Sequence, residues 1–412
     1  MKFMSKTTFA LTALASTFFG IGITEFIGVG VLPEIAEEFS VSTSTAGLIV
    51  SLYALGVAIG GVLLTALTSR QSRKKMLLAS IVLFIAGHVL TAMAPSFLTL
   101  MAARVLSAAA HGLFFSLASA VAVSMVAPNK AAGAVAFIFS GFTIATAFAA
   151  PLGTYISNMA GWRIPFFGIA LVGVVALVLN KIALPDHVQT SANPPSARDQ
   201  IRLITHPHIL LMMAVTILGY GSTFAAFTYL SPLLTEITGI EAPMVSAVLV
   251  MYGVTVAIGN TAGGRIGNAS QLHSLFFIFI IQGLILAGVY FALPYTIPAL
   301  IAIGLMGIMA FMSIPSLQSY ILILAKRNVP SAVDLASSLN IASFNGGITV
   351  GATLGGLVID HIGLAYTPLA AAAMAFAAVL LTLVSMKMEA RELSAERKQQ
   401  VSCTAQTAEI TG

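Results

Sequence analysis

Charge is what this sequence has least of: Asp, Glu, Lys and Arg together make up 8% of its 412 residues, while 58% are hydrophobic. A water-soluble domain carries about 25% charged residues because its surface must face water, so an ordinary soluble exterior is excluded. The mean hydropathy of +0.99 says the same. Cysteine is nearly absent too; Cys403 stands alone in the polar C-terminal stretch, which excludes an intramolecular disulfide framework and a thiolate metal cluster within the chain. No HExxH, no Gly-rich phosphate loop with its Lys and no Cys/His cluster occurs. Without a nucleotide site, an ion gradient is the natural source of energy for any pumping.

What is present is a series of long apolar runs. About 20 apolar residues cross the hydrocarbon core as a helix. That length predicts twelve spans, near 8–32, 46–67, 76–94, 98–126, 131–157 and 164–184, then 208–234, 243–263, 273–293, 296–324, 331–358 and 366–387. The start, "MKFMSKTTFALTALAS", imitates a signal peptide, but its apolar run continues to about Val31 and reads as an uncleaved first helix. The fold class expected is an all-α polytopic membrane protein with two six-helix pseudo-repeats. Its organisation is a bundle at 1–184, a linker at 185–207 with Pro, Ser, Asn and charges rather than a packed element, a second bundle at 208–387 and a tail at 388–412.

The net charge of +5 does not point to nucleic acid, because the basic residues lie in short clusters between apolar runs. Arg70, Arg73, Lys74, Lys75, Lys130, Lys181, Arg198, Arg202, Arg265, Lys326, Arg327 and the tail cations all fall on one side of a twelve-span topology, with Lys2 and Lys6. The other side holds Arg163 and the acidic residues Glu34, Glu37, Glu38, Glu236 and Glu241. Positive charge marks the cytoplasmic side, so both termini are expected there. The halves also resemble each other: "LGTYISNMAG" ends span five and "LGGLVIDHIG" ends span eleven, and "SRQS" after span two matches "GRIG" after span eight. A parallel repeat of this kind puts a substrate site near the midplane between the halves.

Glu25 lies deep in the first span, in "FFGIGITEFIGVGV". A charge of that kind at a helix centre costs about 2.5–3.5 kcal/mol on insertion scales, so it faces protein or a watery cavity. Ile21, Gly22, Gly28 and Val29 share its face, and the two glycines admit a close helix or leave room for water and cargo. A carboxyl there suits proton exchange; the plainer reading is a hydrated, inert residue near a helix end. Arg104 is the one Arg or Lys well inside a span, with Ser107 and His111 on the same stripe of span four. His111 belongs to the residue type that titrates near neutrality. The plainer reading here is an Arg bonding backbone carbonyls and a His serving as an interhelical hydrogen-bond donor. In the second half, Tyr220, Phe224 and Phe227 share a face of span seven, and Asn340, Phe344 and Gly347 a face of span eleven. With Tyr252, Gln318 and Phe114 they are the candidates to line a pocket for a modest-sized, partly polar molecule; for each one alone, packing is the simpler role. "GLFFSLAS" beside His111 loosely resembles a serine hydrolase, but nothing in the sequence orients the pair.

The six-plus-six plan, the loop "SRQSRKK" and "APLG" on span five together resemble the major facilitator superfamily. "TEF" on span one, "AARVLSAAAHGLFF" on span four and "AGWRIPFF" entering span six are similar to its drug:proton antiporter branch, and within it to arabinose-efflux-permease-like exporters of sugars, purine nucleosides or drugs. The resemblance implies a proton-driven exporter in the bacterial inner membrane, working as a single chain without a cofactor beyond the proton gradient. It implies proton coupling through Glu25 and Arg104, with His111 beside them. It also implies a gating loop at Arg70, Arg73 and Lys74, with Arg265 in the matching loop of the second half, and a span-five antiporter motif at Gly141, Pro151 and Gly153. The sequence departs from the pattern at Ser69 and Ser72, where the loop motif has Asp and Gly, and at Ala150, where the antiporter motif has Gly. Losing the loop Asp means that gating rests on other contacts. A proton symporter importing a nutrient, and an intramembrane enzyme or receptor, are the alternative readings.

Overall fold

The computed structural model describes residues 5–68, 71–127, 131–185, 196–267 and 270–411. Among them the regular structure is helical. The first half comprises α1 (Lys6–Gly30), α2 (Leu48–Leu67), α3 (Arg73–Ala92), α4 (Phe97–Ser124), α5 (Ala131–Ala160) and α6 (Arg163–Ala183). The second comprises α7 (Pro207–Phe227), α8 (Ala242–Gly267), α9 (Gln271–Ala292), α10 (Thr296–Ala310 continued by Ile314–Asn328), α11 (Val333–His361) and α12 (Thr367–Thr411). Among the described residues eleven helices are long and apolar enough to cross a membrane, and α5 makes a twelfth when its two bent segments count as one span.

Proline decides where these helices bend. Pro151 has no N–H for the carbonyl four residues back, and its ring crowds that carbonyl. That position is residue 147, and there α5 bends by 42°. Pro315 acts the same way on Phe311, and α10 breaks between Ala310 and Ile314. Pro232 acts on Thr228, so the seventh span ends at Phe227 rather than near 234. A short helix, Leu230–Pro232, and a wide turn at Leu233–Ile237 follow. One other expectation needs correction. The linker contains a packed element, the helix Ala197–Ile204, because Ser196 Oγ accepts the Asp199 N–H at 3.1 Å and Leu203 is fully buried. The tail beyond 387 continues α12 as helix to Thr411.

Large apolar side chains such as Leu171, Phe291 and Leu380 are exposed on the outside of the bundle, where lipid is their solvent. Helices in lipid gain little from burying apolar surface against one another; small residues and interhelical hydrogen bonds hold them together. A Cβ on Gly141 of α5 would stand 2.1 Å from the Ala15 carbonyl of α1. The repeat-related pair α7 and α11 is equally close, a Cβ on Gly351 falling 2.1 Å from the Gly221 carbonyl. Gly161 and Gly363, the last residues of the two repeated stretches, end α5 and α11 with positive φ of 86° and 132°, a conformation glycine adopts without a Cβ penalty.

With twelve spans, an even number, the start of α1 and the end of the last span fall on the same face of the bundle. The halves are joined at the opposite face, where α5 packs on α8 and α2 on α11. These two pairs exchange under the internal repeat. Asn158 Nδ2 donates to the Ala242 carbonyl at 3.3 Å, and at the repeat-related place Ser44 Oγ donates to Asp360. Ser231 Oγ bonds the Val29 carbonyl and Thr349 Oγ1 the Ser51 carbonyl, each at 3.2 Å. The Tyr229 side chain fills the join: a Cβ on Gly47 would stand 2.2 Å from its hydroxyl, and one on Gly356 2.8 Å.

At the same face Trp162 Nε1 and Arg163 Nη1 both donate to Glu38 Oε2, at 2.6 and 2.5 Å. The Arg163 bond first, and then the indole, hold the Glu38 carboxyl below the usual carboxylate range. A lowered folded pKa gives a contribution present above the unfolded value and lost as pH falls through the folded one. Trp162 is the single tryptophan, so its emission should report the loss: acid titration should show a transition below the ordinary carboxylate range, absent in Glu38→Gln. A second test concerns α8. A Cβ on Gly259 would stand 1.7 Å from the Ile308 carbonyl, whereas one on Gly264 meets nothing within 4 Å. Thermal unfolding should therefore show Gly259→Ala destabilised by about 1–3 kcal/mol or more, and Gly264→Ala unchanged or stabilised by up to about 1 kcal/mol.

Candidate functional site

Glu25 and its neighbours occupy the inner side of the first half. Gly22 serves close helix approach, its Cβ position lying 2.7 Å from Ala145 of α5, and Gly28 faces Val50 of α2. Glu25 itself is buried and within electrostatic reach of Arg104, Tyr53 and, across the join between halves, Tyr220. Among the described residues no cationic nitrogen lies within 4.0 Å of its carboxylate.

Arg104 is fully buried. Its Nη2 donates to the Thr24 and Ile49 carbonyls at 3.4 Å each, and its guanidinium lies 4.0 Å over the Tyr53 ring and 5.8 Å from Phe166. Nε and Nη1 have no hydrogen-bond partner. The arginine thus combines the backbone contacts of a structural residue with an uncompensated positive charge in a dry place, where charge needs a partner. Glu25 is the acidic group that acts on it. His111, two turns along α4, faces the Tyr53 hydroxyl through Nδ1 at 3.1 Å and packs on Phe115. Ser107 bonds its own helix through the Ala103 and Arg104 carbonyls.

The second half brings aromatic rings to the same depth. Tyr220 meets Phe224, Phe311 and Phe344 at ring-centroid distances of 5.2, 5.7 and 4.9 Å, and Phe227 stacks on Tyr252 at 4.6 Å. Phe26, the neighbour of Glu25, enters this group and lies 6.0–6.4 Å from Phe224, Phe227 and Phe311. Phe26, Phe224, Phe227, Tyr252 and Phe311 enclose an apolar cavity of about 10 Å³, bounded also by Thr146, Ala150 and Pro151 of α5 and Thr223 of α7; such a volume holds about one water. A cavity of that volume has no room for an organic solute.

The structure separates the other candidates. Phe114 packs edge-on against Phe18 inside the first half, away from the aromatic group. Asn340 Nδ2 donates to Gln318 Oε1 at 2.7 Å, Gln318 Nε2 to Ser337 at 2.8 Å and Thr216 to Asn340 Oδ1 at 3.0 Å. These bonds tie α7, α10 and α11 together. Gly141 and Gly153 lie along α5 against α1, the Cβ position of Gly153 being 2.6 Å from Ile27, while Pro151 faces the cavity. Arg73 opens α3, Lys74 Nζ donates to the Leu184 carbonyl at 2.6 Å, and Arg265 is exposed at the end of α8. Arg70 lies outside the described residues.

Four residues beyond the sequence candidates belong to the site. Tyr53 joins Arg104 to His111, while Phe26 and Phe311 close the cavity. His88 of α3 bonds Thr24 Oγ1 through Nε2 at 2.9 Å. A histidine inside a span is a signal in its own right and marks His88; Phe311 is marked by its place four residues before Pro315. Elsewhere, His208 faces Ser385 at 2.8 Å and Glu392 at 3.1 Å, the order of a hydrolytic triad. Ser385 and His208 are both fully buried, which leaves a substrate no approach, and the cluster ties α7 to α12.

A family model, Major Facilitator Superfamily, matches residues 14–332. The chain is 47% identical to the MFS-type transporter YtbD of Bacillus subtilis, over 93% of this chain and 96% of that one. It is 36% identical to the inner membrane transport protein YdhP of Escherichia coli K12 (93% and 97%) and 31% identical to the putative transporter AraJ of the same organism (90% and 93%). Among solved structures, a bacterial homolog of the human lysosomal transporter Spinster, in an inward-facing and occupied conformation, shares the fold with a TM-score of 0.71 at 14% identity, over 92% of this chain and 96% of that one. The chain is therefore a multi-pass membrane protein of the major facilitator superfamily, a family of transporters rather than enzymes.

Proposed function

We propose that this transporter exports a small organic solute, such as a sugar, purine nucleoside or drug, in exchange for protons across the bacterial inner membrane. The observation that carries the reading is the place of Glu25. It is a buried carboxyl, with Arg104 acting on it through space, and it adjoins in sequence Phe26, which lines an aromatic cavity shared by both halves. Arg104 stays charged under all working conditions, so proton exchange at this pair belongs to Glu25. The ionised carboxylate offers cargo a charge and two acceptor oxygens; protonation removes the charge and weakens that hold.

The segregation of Lys and Arg supports cytoplasmic termini. With that orientation the join at Ser44–Asp360 and Asn158–Ala242 closes the periplasmic side, and opening it exposes Glu25 to incoming protons. Protonation from the periplasm releases cargo outward, and deprotonation toward the cytoplasm resets the site. One chain holds all of these parts, so a monomer suffices. Proton symport of a nutrient uses the same parts in the other direction, and counterflow under an imposed pH gradient distinguishes the two.

In proteoliposomes, Glu25→Gln should abolish efflux driven by a pH gradient; undiminished exchange would refute the assignment. The join offers a second test. In a Cys403→Ser background, Ser44→Cys with Asp360→Cys should form a disulfide on oxidation, stop transport, and recover it with reductant. Unimpeded exchange by the cross-linked protein would contradict opening at this place.

A further inference from the structure

His88 takes no part in the cycle above, yet it is fully buried and hydrogen-bonded at both ring nitrogens. Its Nδ1 lies 2.7 Å from the Phe84 carbonyl. A carbonyl only accepts, which assigns the proton to Nδ1 and leaves Nε2 to accept the Thr24 hydroxyl, whose one proton is shared with the Gly20 carbonyl at 3.1 Å. The ring is packed on Phe84 at 4.2 Å and near Phe166 at 6.3 Å, so its orientation is fixed from three helices. Thr24 is the residue before Glu25, and its carbonyl is one of two that accept Arg104 Nη2. A single turn of α1 is thus gripped by α3 through the Thr24 side chain and by α4 through the Thr24 backbone.

We propose that His88 is a positioning residue for proton exchange: through Thr24 it fixes the turn of α1 that sets the spacing of Glu25 and Arg104. The inference rests on Glu25 being the exchanging group. The titratable and charged groups facing this unit are Glu25 on α1, Tyr53 on α2, Arg104 and His111 on α4, and Tyr220 on α7; α6 contributes only the Phe166 ring to it. Because the carboxylate and guanidinium interact through space, a few tenths of an ångström of play in this turn changes the energy difference between protonated and ionised Glu25. The interaction lies in a low-dielectric interior, where distance matters most.

The test needs no transported ligand. The C=O stretch of the protonated Glu25 carboxyl, identified as the infrared band lost in Glu25→Gln, is followed against pH in purified protein in lipid nanodiscs. Thr24→Val and His88→Leu remove the same hydrogen bond from its two ends. Each should move the midpoint by about half to one pH unit, the size of one lost hydrogen bond, in the same direction. The double variant should show no larger shift than either single one, and Thr24→Ser, which keeps the hydroxyl, should restore the parent midpoint. A merely structural role for His88 would lower the unfolding temperature and leave the midpoint alone, and that result overturns the inference while Glu25 keeps its role. A parent protein with no titrating band assignable to Glu25 overturns the reading of Glu25 itself.

Discussion

A guanidinium and a carboxylate placed inside a protein, inside a membrane, constrain everything around them. Neither is stable there alone, and the surrounding residues provide what each lacks. Arg104 has two backbone carbonyls and an aromatic face, but two of its nitrogens remain unpartnered. The deficit is met electrostatically by Glu25, which is not bound to it directly. A directly bonded pair would hold its proton state more rigidly. In the proposed exchange, interaction through space leaves the carboxyl free to take up and release a proton while still feeling the charge.

The two halves divide the work although they share one plan. Repeat symmetry is visible in the backbone: glycine contacts between α1 and α5 recur between α7 and α11, and the joins α5–α8 and α2–α11 exchange with each other. The interior is asymmetric. The first half holds the polar line His88, Thr24, Arg104, Tyr53 and His111, with Glu25 beside it. The second contributes rings, and its polar groups near Gln282, Asn340 and Gln318 are engaged in ties among α7, α9, α10 and α11. A symmetric frame joined at one face thereby carries a charged wall against an aromatic one.

Much of this was legible in the sequence because a bilayer enforces simple rules. Length and hydropathy mark the spans, and the ends "LGTYISNMAG" and "LGGLVIDHIG" proved to be equivalent turns with equivalent cross-links, Asn158 answering Asp360. Glu25 and Arg104 stood out because charge in an apolar run is costly. The breaks at Thr228 and Phe311 were not read, although Pro232 and Pro315 encode them, because hydropathy does not register a missing N–H. The helix Ala197–Ile204 was hidden in a stretch whose composition suggests a linker. His88 and Tyr53 need three dimensions, since their partners lie 64 and 58 residues away. Gln318 and Asn340 looked available for cargo because a sequence does not show that they bond each other.

The central claim is that Glu25 is the group whose protonation and deprotonation run the proposed cycle, so its proton should bias the balance between the outward-open and inward-open forms. The most direct measurement attaches spin labels to the two halves at the face carrying the termini and follows their distance distribution against pH by pulsed electron paramagnetic resonance. Exchange through Glu25 predicts a population shift between short and long distances in the parent protein, and in Glu25→Gln a distribution that no longer responds to pH. The same pH response in both proteins would contradict it.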